Sequence, residues 1–519
     1  MLENVTSPQL ETGPARPAAG GGTVPADALP TSRSGGGATP GRSRSWIWVA
    51  LLYAGALAIA GALLFGGLER ETVGLLTVLL MLVLMLAGVH IGLAMLGAGA
   101  LGLYALGGIS AVASTLEQSV YEPTASWQLS VIPTFILMGT ALWKSGMTGR
   151  AFEAAKAWLG NVPGGLALTT TVSGAGLAAS SGSTIALTHA LGRVSVPEMI
   201  RAGYRPGFAI GSTAMAGTLG QIIPPSVLLV VYAGAAQTSV GAQLMAGIIP
   251  GIALAVAFCL YIFLVGIIRP DIAPRTGLTV SWSEKFKALS RAIPLAVVAV
   301  IVIGGIASGV FTPTESAAVG AIVAIVLGWA TRPGEPRTWR SFYRYCIDVV
   351  GVSAISTAGI FLLLIGVHAL TRVVTLSRLA NGLTDQIVGL GLSTTAVLLV
   401  LVLLYLLLGM FMDTMAIILL TVPILALPLM EMGVDMIWFG VFLVIMVEIG
   451  MVTPPLGILA FVLHRIAQER EVNQGKNISL VTIFAGVTPF ALVALGFVVL
   501  LIFVPDLVTW LPGQLSTSE

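Results

Sequence analysis

The sequence has 519 residues, of which 56% are hydrophobic and only 9% charged, against roughly a quarter charged in soluble domains, so the chain is built for a bilayer. Its 25 basic and 23 acidic residues leave a net charge of +2, too balanced for a nucleic-acid-binding surface. Cys259 and Cys346 form no disulfide framework or transition-metal site, and no Walker A loop, H-E-x-x-H motif or strand-borne Gly-x-Ser-x-Gly elbow gives ATP hydrolysis or catalysis a seat.

Residues 1–45, rich in Pro, Gly, Ser, Thr and Ala, bury nothing and read as a disordered cytoplasmic tail. The apolar run 46–68 follows Arg42 and Arg44 and is long enough to span, which makes it an N-terminal transmembrane anchor. The run 73–109 supplies two crossings with a turn near Gly88–His90, and 131–143 supplies one. Further crossings are expected at 207–235, 242–268, 292–310, 315–330, 349–371, 437–463 and 479–504, about eleven in all. Residues 506–519 then form an external C-terminal tail. Thr312-Pro313-Thr314-Glu315 fits a helix N-terminus, with proline early and an acid in the first turn. His90, His189 and His368 carry no assigned role.

Basic residues favour the cytoplasmic side. Segments 144–156, 193–205, 269–291, 332–344 and 465–476 are basic and belong inside, whereas 110–130, 236–241, 311–314 and 428–436 contain no Lys or Arg and belong outside. Arg70, Arg372 and Arg378 run against this trend. On the resulting path the stretch between Lys156 and Arg193 begins and ends inside, with Ser180-Ser181-Gly182-Ser183-Thr184 at its middle. Small polar residues suit a hairpin tip facing a wet cavity better than a lipid-facing helix centre. Residues 387–427 similarly begin and end outside, around Gly409-Met410-Phe411-Met412-Asp413-Thr414. Two re-entrant hairpins are therefore expected from opposite faces.

Two Gly-x-x-x-Pro-Pro segments, at Gly220–Pro225 and Gly450–Pro455, lie 230 residues apart, and a shift of 231 overlays Ser181-Gly182-Ser183 on Met412-Asp413-Thr414. Opposite loop charge after the two hairpins makes this an inverted repeat, about 131–268 and 349–504. Proline removes amide donors and frees carbonyls that can face a cation. The first broken helix offers Gly217, Thr218, Gly220, Gln221, Pro224, Pro225 and Ser226; the second offers Glu448, Gly450, Thr453, Pro454 and Pro455. The tips add Ser181, Gly182, Ser183 and Thr184, with Asp413 and Thr414 opposite. Intramembrane carboxylates face a partner or cavity. Asp413 either charges a cation site or caps the returning half-helix; Glu448 is a proton site, an ion-pair member or a packing group.

These motifs together resemble the large membrane subunit of tripartite ATP-independent periplasmic (TRAP) transporters, the DctM family. Val196-Pro197-Glu198-Met199, Glu448-Ile449-Gly450 and Thr453-Pro454-Pro455-Leu456-Gly457 add to the likeness, which covers about 72–505. The resemblance implies an all-α polytopic protein of the bacterial inner membrane that is not an enzyme, with an elevator-like moving hairpin domain. It implies sodium as coupling ion with no other cofactor, an organic anion such as a C4-dicarboxylate as substrate, and a periplasmic substrate-binding protein to deliver it. A small four-helix membrane subunit usually completes the assembly, in contact with membrane lipid. A binding-protein-independent sodium/dicarboxylate symporter shares the hairpin logic. A membrane-embedded enzyme would need a converged nucleophile and base that the sequence does not offer.

Overall fold

The structure is a computed structural model that describes residues 42–177, 183–277, 279–332, 334, 336–455 and 457–516. Among them every regular element is helical. In chain order these are α1 (Arg42–Phe65), α2 (Arg70–Leu86), α3 (Ile91–Ala125), a 3-10 turn (Gln128–Ser130), α4 (Val131–Lys144), α5 (Met147–Leu159), α6 (Gly165–Gly176) and α7 (Thr184–Arg201). There follow α8 (Pro206–Ile222), α9 (Val227–Ala236), α10 (Val240–Ile268), α11 (Trp282–Ala307), α12 (Pro313–Thr331), α13 (Trp339–Ser377) and α14 (Leu379–Gly389). The last are α15 (Thr394–Phe411), α16 (Thr414–Glu431), α17 (Met436–Val452), α18 (Ile458–Ile466), α19 (Arg470–Asn473), α20 (Leu480–Phe503) and α21 (Asp506–Ser516). Residues from Leu51 onward make one compact unit, and Arg42–Ala50 of α1 belong to the other. Most of the expected tail, 1–41, lies outside the described residues.

Helix starts follow the polar residues that cap them. Ser281 with Glu284, and Thr312 with Glu315, form complete capping boxes at α11 and α12, satisfying amides that would otherwise lack acceptors. Eight helices are long and apolar enough to cross a membrane among the described residues, or nine if α8 and α9, bent by 46°, count as one span. Three boundaries differ from expectation. Helix α3 continues to Ala125 through a kink at Gly107 and Gly108, where Gly108 takes φ 67°, ψ −165°, so most of 110–130 is helix rather than loop. Such a conformation is open essentially to glycine alone. Helices α11 and α13 each begin ten residues before the spans expected at 292 and 349. The expected C-terminal tail holds α21, which packs against α10 and α17.

The basic segments gather at one end of the bundle. Lys156 pairs with Glu198 (2.8 Å), Arg193 with Glu469 (2.6 Å), and Arg205 with Asp271. Arg201 Nε donates to Gln474 (3.1 Å), Trp158 Nε1 to the Lys285 carbonyl (3.3 Å), and Arg150 to the Thr331 carbonyl (3.0 Å). At the other end, Trp127, Ser239 and Thr312 line one cleft, while Glu122, Gln237 and His368 line another that shares Gln128 and Ser239 with it. His368, given no role from sequence, ties α3 to α13 there: its Nδ1 meets Ser119 Oγ at 2.9 Å and its Nε2 meets Glu122 at 2.8 Å.

Both hairpins close at their bases. In the second, Thr394 Oγ1 donates to the Met432 carbonyl (3.3 Å) and Tyr405 Oη to Thr421 Oγ1 (3.1 Å), pairs placed symmetrically about Asp413. In the first, Tyr204 Oη accepts from the Leu166 amide (3.2 Å). Helix α6 of the first and α15 of the second pack on α8 and α17 respectively. The returning arms cross over: α7 also packs on α18, and α16 on α9.

The element bounds recur along the chain. Thr184 and Thr414, Arg201 and Glu431, Pro206 and Met436, and Ile222 and Val452 are start or end residues of matching helices, each pair 230 residues apart. Small residues let the second hairpin seat. A Cβ built on Gly409 would lie 2.6 Å from the Gly450 Cα, inside any tolerable contact, so backbone meets backbone there.

Candidate functional site

The two hairpin tips meet the same stretch of α17. Thr184 Oγ1, the first residue of α7, donates to Glu448 at 2.9 and 2.8 Å from its two carboxylate oxygens. Gly409, just before the second tip, lies against Gly450. Glu448 sits about 18 Å along α17 from Met436 at the helical rise, and α18 continues beyond toward Glu469 at the basic end. Each arm of the second hairpin is 18 residues, long enough to cross, but its tip stops beside Gly450 and leaves the length of α18 beyond it.

Each tip is a helix N-terminus. Ser183 caps α7 through the Ala186 amide (3.4 Å), and Asp413 caps α16 through the Met415 amide (3.1 Å). Both place the positive end of a helix dipole at the tip. Of the expected tip residues, Ser181 and Gly182 lie outside the described residues; Thr414 is buried behind its cap.

Each broken helix supplies the opposite polarity. Pro224 and Pro225 lack N–H groups, so the carbonyls of Gly220 and Gln221 lose their helical donors. Ser226 Oγ donates to the Gln221 carbonyl and accepts from the Leu229 amide (3.2 Å), starting α9. The Gln221 side-chain Oε1 is buried with no hydrogen-bond partner, in a residue 2% exposed. Pro454 and Pro455 do the same for Gly450 and Met451; the Thr453 amide donates to the Gly450 carbonyl (3.1 Å) and its hydroxyl to Ile449 (2.6 Å). Both Pro–Pro bonds are cis. Thr218 turns its hydroxyl onto the Met215 carbonyl (2.8 Å), and Gly217 gives room for the Thr188 hydroxyl, which has no partner of its own.

Glu448 is 1% exposed, and the Asp413 carboxylate caps α16 at the second tip. Among the described residues, neither forms an ion pair with a basic side chain. A buried carboxylate without a cation is costly inside a protein. Carbonyls freed from two helices, hydroxyls and these acids are all oxygen donors, the ligand set a hard cation takes. Sequence pattern placed Glu448 on the second broken helix; its bond to Thr184, 264 residues away, had no sequence signal.

The fold resembles the crystal structure of the Alcanivorax borkumensis YdaH transporter, with TM-score 0.56 and 18% identity over 76% of this chain and 89% of that one. A C4-dicarboxylate TRAP transporter large permease protein, DctM, of Pseudomonas aeruginosa is 32% identical, covering 78% of this chain and 90% of its own. An ectoine/5-hydroxyectoine TRAP transporter large permease protein, UehC, of Ruegeria pomeroyi is 29% identical over 83% and 97%. These relatives are named as permeases, not enzymes. The family model for the tripartite ATP-independent periplasmic transporter, DctM component, matches residues 78–507. The chain belongs to that family, as the large permease subunit of a secondary transporter in the membrane.

Proposed function

We propose that the chain imports an organic acid, a C4-dicarboxylate or related carboxylate, coupled to sodium. The observation that carries this reading is the convergence on Glu448 and Gly450 of two hairpin tips from opposite ends of the bundle. Helix N-termini favour the carboxylate of a substrate, while freed carbonyls with Asp413 and Glu448 favour the cation. The residues assigned to this site are Ser181, Gly182, Ser183, Thr184, Gly217, Thr218, Gly220, Gln221, Pro224, Pro225, Ser226, Asp413, Thr414, Glu448, Gly450, Thr453, Pro454 and Pro455. The 230-residue recurrence of helix bounds supports an inverted repeat, with movement of the hairpin domain carrying the site across the membrane. Relatives named for dicarboxylate and for ectoine share this family, so the substrate is narrowed by its delivery. A periplasmic binding protein and a small membrane subunit are the partners that a tripartite system calls for.

The test is uptake into proteoliposomes with and without those two partners. Uptake of a labelled dicarboxylate is expected to require both and to follow an imposed sodium gradient without ATP; uptake by the chain alone would instead mark a binding-protein-independent symporter. Orientation is tested separately. Reporters fused after residues 150, 200, 280 and 338 should face the cytoplasm and those after 120 and 433 the periplasm, with the N-terminus inside and the C-terminus outside. Opposite sides for 150 and 200 would turn the first hairpin into a crossing and remove the repeat.

A further inference from the structure

Helix α3 is two helices joined at Gly107 and Gly108, and the second doubles back along α13. Before the joint, a Cβ built on Gly99 would lie 3.1 Å from the Ala369 Cβ, and one on Gly102 would lie 3.1 Å from the Val373 side chain. Beyond the joint, Ser119 meets His368, the neighbour of Ala369, although a straight helix would carry Ser119 about 30 Å past Gly99. The reversal is set by Gly108 at φ 67°, ψ −165°, a conformation that any side chain would strain.

The two halves are held differently. The first buries Ala94, Met95, Ala98 and Leu103, and its backbone lies so close to α13 that a Cβ on Gly92 would sit 3.0 Å from the Leu362 carbonyl oxygen. The second, 109–125, buries only Thr115, Ser119 and Pro123, while Ile109, Val120 and Tyr121 are exposed. Thr115, Ser119, Glu122 and Pro123 share one face at helical spacing, so this half rests on α13 along a narrow stripe of polar and small side chains. Burial of apolar surface, the main force between packed helices, is nearly absent there. His368 ties the segment down instead, with Nδ1 on Ser119 Oγ at 2.9 Å and Nε2 on Glu122 at 2.8 Å. Segments with few buried apolar contacts are the ones that open locally.

The segment also walls a cavity. Glu122, Pro123 and Ser126 line the outer cleft of about 570 Å³, to which α13 contributes Leu364 and His368 and the turn between α9 and α10 contributes residues 237–239. Swinging 109–125 about Gly107 and Gly108 removes that wall and opens the cleft beside the end of the first broken helix. We propose that residues 109–125 are a strap over the outer cleft, hinged at Gly107 and Gly108 and clasped shut by His368 through Ser119 and Glu122. His368 acts as a positioning residue, through the strap it holds. The proposal does not depend on the substrate or the coupling ion.

Leu364, 3% exposed and one turn before His368 on the cleft face of α13, reports the opening. Leu364→Cys in the purified full chain is treated with a charged methanethiosulfonate, and modification at that position is read by peptide mass spectrometry, so Cys259 and Cys346 do not interfere. Slow labelling is expected while the clasp is intact. His368→Ala, which removes a hydrogen bond to a charged group, should speed it at least tenfold, as should Ser119→Ala combined with Glu122→Ala. His368→Gln, which keeps a donor for Glu122, should speed it less. Gly108→Ala strains the turn that lays the strap down and should also speed labelling. Leu370→Cys, fully buried on another face of α13, should stay protected in every variant. Labelling of Leu364→Cys at one rate with and without the clasp would overturn the proposal. Equal acceleration at Leu370→Cys would overturn it too, by marking a general loosening of the fold.

Discussion

Glu448→Gln is expected to weaken sodium affinity by roughly 10- to 100-fold while leaving a folded protein. The carboxylate is 1% exposed and its one described hydrogen-bond partner is Thr184. Glutamine keeps a carbonyl that can accept from Thr184, so the first tip stays pinned, but it removes the charge. Interactions with charged groups are worth about 1.5–3 kcal/mol, which sets the fold-change. If Glu448 served only to pin the tip, the pattern would reverse: Glu448→Gln would transport normally and Thr184→Val would be the damaging change. Sodium-dependent uptake by both variants, with melting temperature as the fold control, separates a charge role from a packing role. Unchanged sodium affinity in Glu448→Gln would defeat the cation reading of this residue.

Replacing Pro454-Pro455, or Pro224-Pro225, by Ala-Ala should bring uptake to near background without lowering stability. Alanine restores two amide donors, and the helix can re-close over the carbonyls of Gly450 and Met451, or of Gly220 and Gln221. An interior proline costs a helix about 3 kcal/mol relative to alanine, so the variants should melt at the same temperature or higher. Transport and stability then move in opposite directions. A packing kink would move them together, because α8 and α17 are buried among neighbours along nearly their whole length. Uptake that survives both double substitutions would remove the broken helices from the site.

Sequence carried the fold furthest where a polar or conformational requirement had a local spelling. Pro-Pro after a glycine marked both helix breaks, and Thr312 with Glu315 marked the start of α12. Loop charge called for hairpins at two places, and the helix pairs α6–α7 and α15–α16 stand there. Helix α3 was cut short because residues 110–130, with no Lys or Arg, read as an outside segment, although the kink at Gly107 and Gly108 lets the helix resume. The start of α11 was missed for the opposite reason: Lys285, Lys287 and Arg291 looked like a solvated connection, yet Ser281 and Glu284 spell a capping box. Of the site, the residue types were legible and their meeting was not. Thr184 and Glu448 are 264 residues apart, and the packing of α7 on α8 and α18 brings the first tip to the second broken helix. Capping of α16 was one of the two readings of Asp413, and its bond to the Met415 amide is that cap.

The central claim is that both broken helices and both tips build one sodium-dependent site, and equilibrium binding of radiolabelled sodium to the purified, substrate-free protein tests it most directly. The account predicts saturable binding that potassium does not displace, weakened at least tenfold by Glu448→Gln, by Asp413→Asn and by either proline double substitution, each in protein that melts no lower than the parent. Saturable sodium binding of unchanged affinity in all four variants, or no saturable binding in the parent, would contradict it.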